Sequence, residues 1–189
     1  MPDLHTIVGL VLAGGRSSRF GSEKAVALHR GRPLLDWSLD VLTRGSRLTA
    51  VNAPGGTGAA ALAQARRLPL IGDAPEHPAG PLAGVHAGLA WARAQGAEWL
   101  ATAPCDTPDL PDDLVVRLLD AAHPSGAYAV SPDGRQPLCA LWSVTLLERL
   151  GETLADGVHP AVRAFQDLGG MKAARFDDAA AFANLNRRP

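Results

Sequence analysis

The chain is poor in cysteine. Its two residues, Cys105 and Cys139, in 189 make neither a disulfide framework nor a Cys-x-x-Cys metal pair. A reducing compartment, the cytoplasm, is the natural setting for such a chain. An excess of charge of either sign is also lacking. With 18 basic against 19 acidic residues the formal net charge is −1, so no overall positive field draws in a nucleic-acid backbone, and no DNA or RNA partner is expected. Long apolar runs are missing too: nothing approaches the ~18 continuous apolar residues of a membrane span. The opening MPDLHTIVGLVLAGG has no basic region ahead of its short apolar run, and it reads as a strand, not as a signal peptide.

What is present suits a globular α/β chain. Hydrophobic residues make up 47% and charged residues 20%, near the average for soluble domains. A length of 189 residues is expected to form one domain, 1–189, since a domain takes ~150 residues. Glycine, at 20 residues, and proline, at 15, together exceed their average share of ~12%, so loops, where ligand sites tend to lie, should be prominent. Strand and helix patterns alternate. Ile7–Leu12, Leu48–Ala53, Leu68–Ile71, Glu98–Ala103, Ala127–Val130, Leu138–Trp142 and Ala174–Asp177 read as strands. Helices are expected from Pro33 to near Gly45, over Gly58–Arg67, from Pro81 to Gly96, after Pro111, and over Val144–Leu154 and Ala161–Leu168. Asp133-Gly134 is a strong turn signal, compatible with an antiparallel pair or a crossover. Asp36 and Asp40, four residues apart on the first helix, read as a solvated face.

The chemistry concentrates in LVLAGGRSSRFGSEK, Leu10 to Lys24. An apolar strand stops at paired glycines, which permit positive φ and remove the Cβ atoms that would keep a phosphate from the backbone N–H groups. Arg16, Arg19 and Lys24 follow, three cations able to balance a triphosphate. Two better-known phosphate loops fail. A Walker A loop needs four residues between its glycines and then Lys-Ser/Thr, whereas five separate Gly15 from Gly21, and Ser22 follows. The dinucleotide pattern G-x-G-x-x-G fails because Gly14 and Gly15 are adjacent. On the residues alone an ordinary turn with solvated arginines stays open.

LAGGRSSRFGSEK resembles the signature of the nucleotidyltransferases that begin L-A-G/A-G-x-[ST]-x-R-M/F-G-x-x-K, and within them that of the molybdenum cofactor guanylyltransferases. The resemblance continues through DAPEHPAGPLAG, APCDTP and FANLN. It implies a doubly wound, mostly parallel sheet of the Rossmann-like nucleotidyltransferase type. It implies transfer of GMP from GTP to the terminal phosphate of molybdopterin or the molybdenum cofactor, with magnesium as the cofactor. It leaves room for transient contact with proteins that deliver or accept the product.

The same resemblance assigns residues. Leu12, Ala13, Gly14, Gly15, Lys24, Asn52, Asp73, Gly80, Gly84 and Asp106 would bind the nucleotide; Lys24 with Arg16 or Arg19 would neutralise the leaving pyrophosphate; Asp106 would hold the magnesium. One carboxylate suffices, because magnesium takes one or two and completes its octahedron with water and phosphates. Asn184 and Asn186 would face the pterin. The arginine expected ahead of the last helix is replaced by GVHPAVRAF, where His159 or Arg163 could take over. Read without the resemblance, Asn52 and Asp73 are turn formers, and Asp106 is a turn or N-cap residue. Cys105 reads as a small buried residue and not a nucleophile.

Leu12-Ala13-Gly14-Gly15 stands where the cytidylyl enzymes of the group read L-A-A-G, which favours GTP over CTP. A cytidylyltransferase or sugar-phosphate nucleotidyltransferase of the same fold is the alternative, and a non-catalytic nucleotide-binding regulatory module is the alternative from another class.

Overall fold

A computed structural model describes residues 4–14, 23–77, 80–155, 157 and 159–185. Gly15, Arg16, Arg19 and Asn186 lie outside the described residues. A seven-stranded sheet forms the centre. It is built from β1 (Ile7–Leu12), β4 (Thr49–Asn52), β5 (Leu70–Ile71), β6 (Trp99–Pro104), β7 (Gly126–Ser131), β8 (Gly134–Ser143) and β9 (Lys172–Arg175), in the order β5-β4-β1-β6-β8-β7-β9. Two further strands, β2 (Leu28–His29) and β3 (Arg32–Pro33), make a separate antiparallel hairpin.

β1 pairs in parallel with β4 and β6, and β4 with β5. β8 then runs antiparallel to both β6 and β7, and β9 returns parallel to β7. The expected mostly parallel, doubly wound architecture is therefore found, and the DG turn is a hairpin. The chain leaves β1 toward β4 and β5 and then crosses back to β6. The boundary between β1 and β6 is thus a topological switch point, the crevice where open α/β sheets take ligands beyond their strands' carboxyl ends.

Helices cover both faces. On one lie α1 (Leu34–Arg44), α2 (Gly58–Ala65) and α4 (Leu114–Ala121); on the other lie α3 (Pro81–Ala94), α5 (Leu147–Ala155) and α6 (Val162–Leu168). β1 shows why its run is apolar throughout: Ile7 and Val11 enter the first core, Val8, Leu10 and Leu12 the second, and all six residues are buried. A strand buried on both faces cannot alternate with polar residues. Gly88 lets α3 close on the sheet, since a Cβ there would stand 2.4 Å from Leu10 Cδ2.

Three local readings change. Asp36 is not solvated: it is 8% exposed and pairs with Arg66 at 2.5 Å, while Asp40 pairs with Arg32 at 2.9 Å. The β2–β3 hairpin was not foreseen. Its turn places Arg30 at φ 50° and Gly31 at φ 79°, the two positive values that a two-residue hairpin needs. The expected helix over Val144–Leu154 opens as a 3-10 turn, Val144–Leu146, before α5.

Candidate active site

Strand ends deliver most of the site. The chain after β1 brings Ala13 and Gly14, then Glu23 and Lys24; β4 ends on Asn52; β6 runs into Cys105 and Asp106. These residues line one cleft of about 420 Å³, whose wall also includes Asp73, Gly80 and Pro81. Lys24 Nζ donates to Asp106 Oδ2 at 2.9 Å across a sequence separation of 82 residues. Both side chains keep a partial face to solvent, 20% and 16% exposed. The N-terminal loop and the mid-chain aspartate thus meet at the switch point.

The glycines act differently from expectation. Gly14 is absent from the glycines at positive φ, so left-handed backbone is not its purpose. Among the described residues, a Cβ on Gly14 would meet nothing closer than Asn52 Oδ1 at 3.5 Å. Packing against them does not demand glycine there, and Gly14 lines the cleft. Gly84, by contrast, is buried against Asn52: a Cβ would stand 2.5 Å from Asn52 Oδ1. Gly84 is not among the residues lining the cleft. At Gly80 the space is filled by the His159 ring, which would lie 2.2 Å from an added Cβ.

Asn52 is 4% exposed, and its Nδ2 donates to Ile71 O at 3.0 Å and to Asp73 Oδ1 at 2.8 Å. Asn52, at the end of β4, thus joins Asp73 and Gly84, the two ends of DAPEHPAGPLAG, in one unit that fixes the Asp73 carboxylate. Glu23 also lines the cleft, but its carboxylate accepts from Gly58 N and Ala59 N at the start of α2, where a negative charge suits the helix N-terminus.

The remaining wall comes from β8: Gln136, Pro137, Leu138 and Cys139. The register jumps from Tyr128↔Ala140 to Ala129↔Gln136, so three residues of β8 bulge out of the ladder with β7. Pro137 within a strand pattern was the available signal, because proline in a sheet marks an edge or a bulge. Gln166 Nε2 holds this bulge through Pro137 O at 2.8 Å.

At the C-terminal end, Asn184 lines the cleft and its Oδ1 accepts from Thr107 Oγ1 at 3.4 Å; Leu185 N donates to Asp106 O at 2.9 Å. The tail is thus tied to the loop that carries Asp106. Neither His159 nor Arg163 is among the residues lining the cleft. His159 Nε2 accepts from Leu82 N at 3.1 Å, and Arg163 is exposed, its carbonyl accepting from Arg135.

The two cysteines of the cleft wall are not set up as nucleophiles. Burial pushes the Cys105 thiol up to about 12, with the neighbouring Asp106 charge adding to the effect. Burial raises the Cys139 thiol as well. Thiols so placed stay protonated and inert near neutral pH. Among the described residues no three His, Cys, Asp or Glu side chains come together as a metal cage.

Gly14, a lysine and a carboxylate thus meet in one cleft at the switch point of a doubly wound sheet. The MobA-like NTP transferase domain matches residues 9–170. A molybdenum cofactor guanylyltransferase from Cereibacter sphaeroides is 43% identical over 183 residues, 95% of this chain and 91% of that protein. One from Cupriavidus pinatubonensis is 36% identical over 189 residues, covering 95% and 92% of the two chains. The chain therefore belongs to the MobA-like NTP transferase family, in the group of the molybdenum cofactor guanylyltransferases. Its fold is shared with the crystal structure of molybdopterin-guanine dinucleotide biosynthesis protein A from Archaeoglobus fulgidus, with TM-score 0.69 and 19% identity over 96% of this chain and 92% of that one.

Proposed function

We propose that this chain transfers GMP from GTP to the terminal phosphate of molybdopterin, or of the molybdenum-loaded cofactor, and releases pyrophosphate. The observation that carries the reading is the 2.9 Å meeting of Lys24 with Asp106 in the cleft at the switch point. Membership of the guanylyltransferase group supports the choice of substrates. An acceptor phosphate oxygen attacks the α-phosphorus as the bond to the β-phosphate bridging oxygen breaks. The acceptor is already deprotonated, so no general base is required, and position with charge neutralisation carries the rate.

Each residue then has a task. Gly14, with Gly15 outside the described residues, admits the phosphates without a Cβ in the way. Lys24, with Arg19 or Arg16, neutralises the departing pyrophosphate. Asp73, aimed by Asn52, contacts the nucleotide. Asp106 holds magnesium. The donor set fits that ion: the one cleft carboxylate beside Lys24 is not committed to a helix terminus as Glu23 is, and a hard cation with few protein ligands draws the rest from phosphates and water. Magnesium, when bound, supplies charge neutralisation to the triphosphate. Asn184 and Asn186 face the acceptor, together with the β8 wall. The cytoplasm is the proposed compartment.

GTP is preferred over CTP because glycine stands at position 14 and, among the described residues, none takes up the room beside it, leaving space for the larger base. The test is pyrophosphate release from each of the four nucleoside triphosphates, with and without molybdopterin. Acceptor-dependent release from GTP is the expected outcome. Release from CTP instead would overturn the base assignment, and binding without release would leave a regulatory module.

A further inference from the structure

α3 begins without a cap of its own. Gly80 at its N-cap has no side chain to offer, and Pro81 has no N–H, so Leu82 N is the first donor of the helix in need of a partner. That partner comes from 77 residues downstream: His159 Nε2 accepts it at 3.1 Å. The imidazole lies flat against Gly80, with Nε2, Cδ2 and Cε1 all within 2.6 Å of where a Cβ would be. Gly80 needs to be glycine for this reason, since its φ of 162° is extended backbone open to any residue.

The wall held in this way is functional surface. Gly80 and Pro81 line the cleft beside Asp73 and Asn52, whereas His159 stands behind them. At the far end of α6, the buried Gln166 holds Pro137 O, on the β8 stretch of the same cleft. One segment, 159–166, is therefore bonded to two parts of the wall that come from opposite halves of the sheet.

We propose that His159 is a positioning residue for the transfer reaction: it caps α3 from outside and so fixes the Gly80–Leu82 stretch against which the nucleotide binds. It touches no substrate. This role rests on the proposed nucleotide site, but the latch itself does not. As an acceptor, Nε2 carries no proton, so the contact needs the neutral ring with its proton on Nδ1. A substitute must offer a lone pair at the same reach, and the Oε1 atom of glutamine does so.

The test uses the full chain and two readouts. In His159→Ala, the Leu82 amide should exchange with solvent roughly five- to tenfold faster, as loss of a cap bond implies. KM for GTP should rise by a similar factor, with kcat falling less. His159→Gln should restore both. Gly80→Ala should reproduce the defect by displacing the ring, and the double variant Gly80→Ala/His159→Ala should be no worse than either single one, because both remove one contact. Unchanged Leu82 exchange in His159→Ala, failure of glutamine to rescue, or additive effects of the two substitutions would each overturn the proposal. If the wild-type chain shows no guanylyl transfer while Leu82 exchange follows this pattern, the proposed function fails and the latch stands.

Discussion

The two halves of the sheet build their parts of the cleft by different means. On the β4-β1-β6 side, polar and charged side chains form the wall: Asn52 at the end of β4, Asp106 just beyond β6, and Lys24 on the chain that follows β1. On the β8 side, backbone shape forms it: a three-residue bulge at Pro137–Cys139 presents neutral groups and is held from behind by Gln166. A charged triphosphate needs fixed charges and open backbone. A second substrate whose own phosphate does the attacking needs a shaped wall.

That division can be broken by experiment. Asp106→Ala should have the largest effect, lowering turnover by on the order of a thousandfold, as loss of a group that stabilises developing charge does, with the melting temperature little changed. Substantial activity in that variant with magnesium present would remove the central assignment. Asn52→Ala deletes two part-buried hydrogen bonds and frees Asp73. It should raise KM for GTP roughly tenfold, while KM for the acceptor stays within twofold or so; an equal rise in both would erase the distinction between the halves. Gln136→Ala should do the reverse on a smaller scale, raising the acceptor KM roughly threefold with GTP unaffected.

The smallest effect is expected at the cysteines. Because burial raises Cys105 to about 12, native protein at pH 8 should resist alkylation that the unfolded chain undergoes readily. The sign follows from linkage. A raised folded-state value contributes stability that is fully present below the ordinary thiol value and is lost as pH rises through 12. Denaturant midpoints should therefore fall between pH 9 and pH 12, and replacing Cys105 by alanine should weaken that dependence. Rapid native alkylation would contradict the buried assignment.

The sequence made the nucleotide half readable because its determinants are local. An apolar run into Gly14, a lysine at fixed spacing and an aspartate between prolines can each be seen in a few residues, and the strands that carry them follow from their apolar patterns. The other half depends on contacts that no short window contains. The β8 bulge is a register event between two strands. His159 reads as a stand-in for the expected arginine until Leu82, 77 residues away, is brought beside it. Asp36 looked solvated on its own helix because Arg66, its partner, lies just past the end of another. The β2–β3 hairpin was legible in principle, from Arg30-Gly31, but a hairpin of such short strands leaves almost no alternation to detect.

The reversed direction of β8 has a practical result for redesign. β7 leaves the sheet at the edge where β1, β4 and β6 also leave it, so the hairpin tip at Ser131–Gly134 lies at the same edge as the strand ends that reach the cleft. Extra residues at that tip would lengthen the hairpin and leave every parallel strand end in place, which makes the Asp133-Gly134 turn the spot at which to graft a reach for a different acceptor.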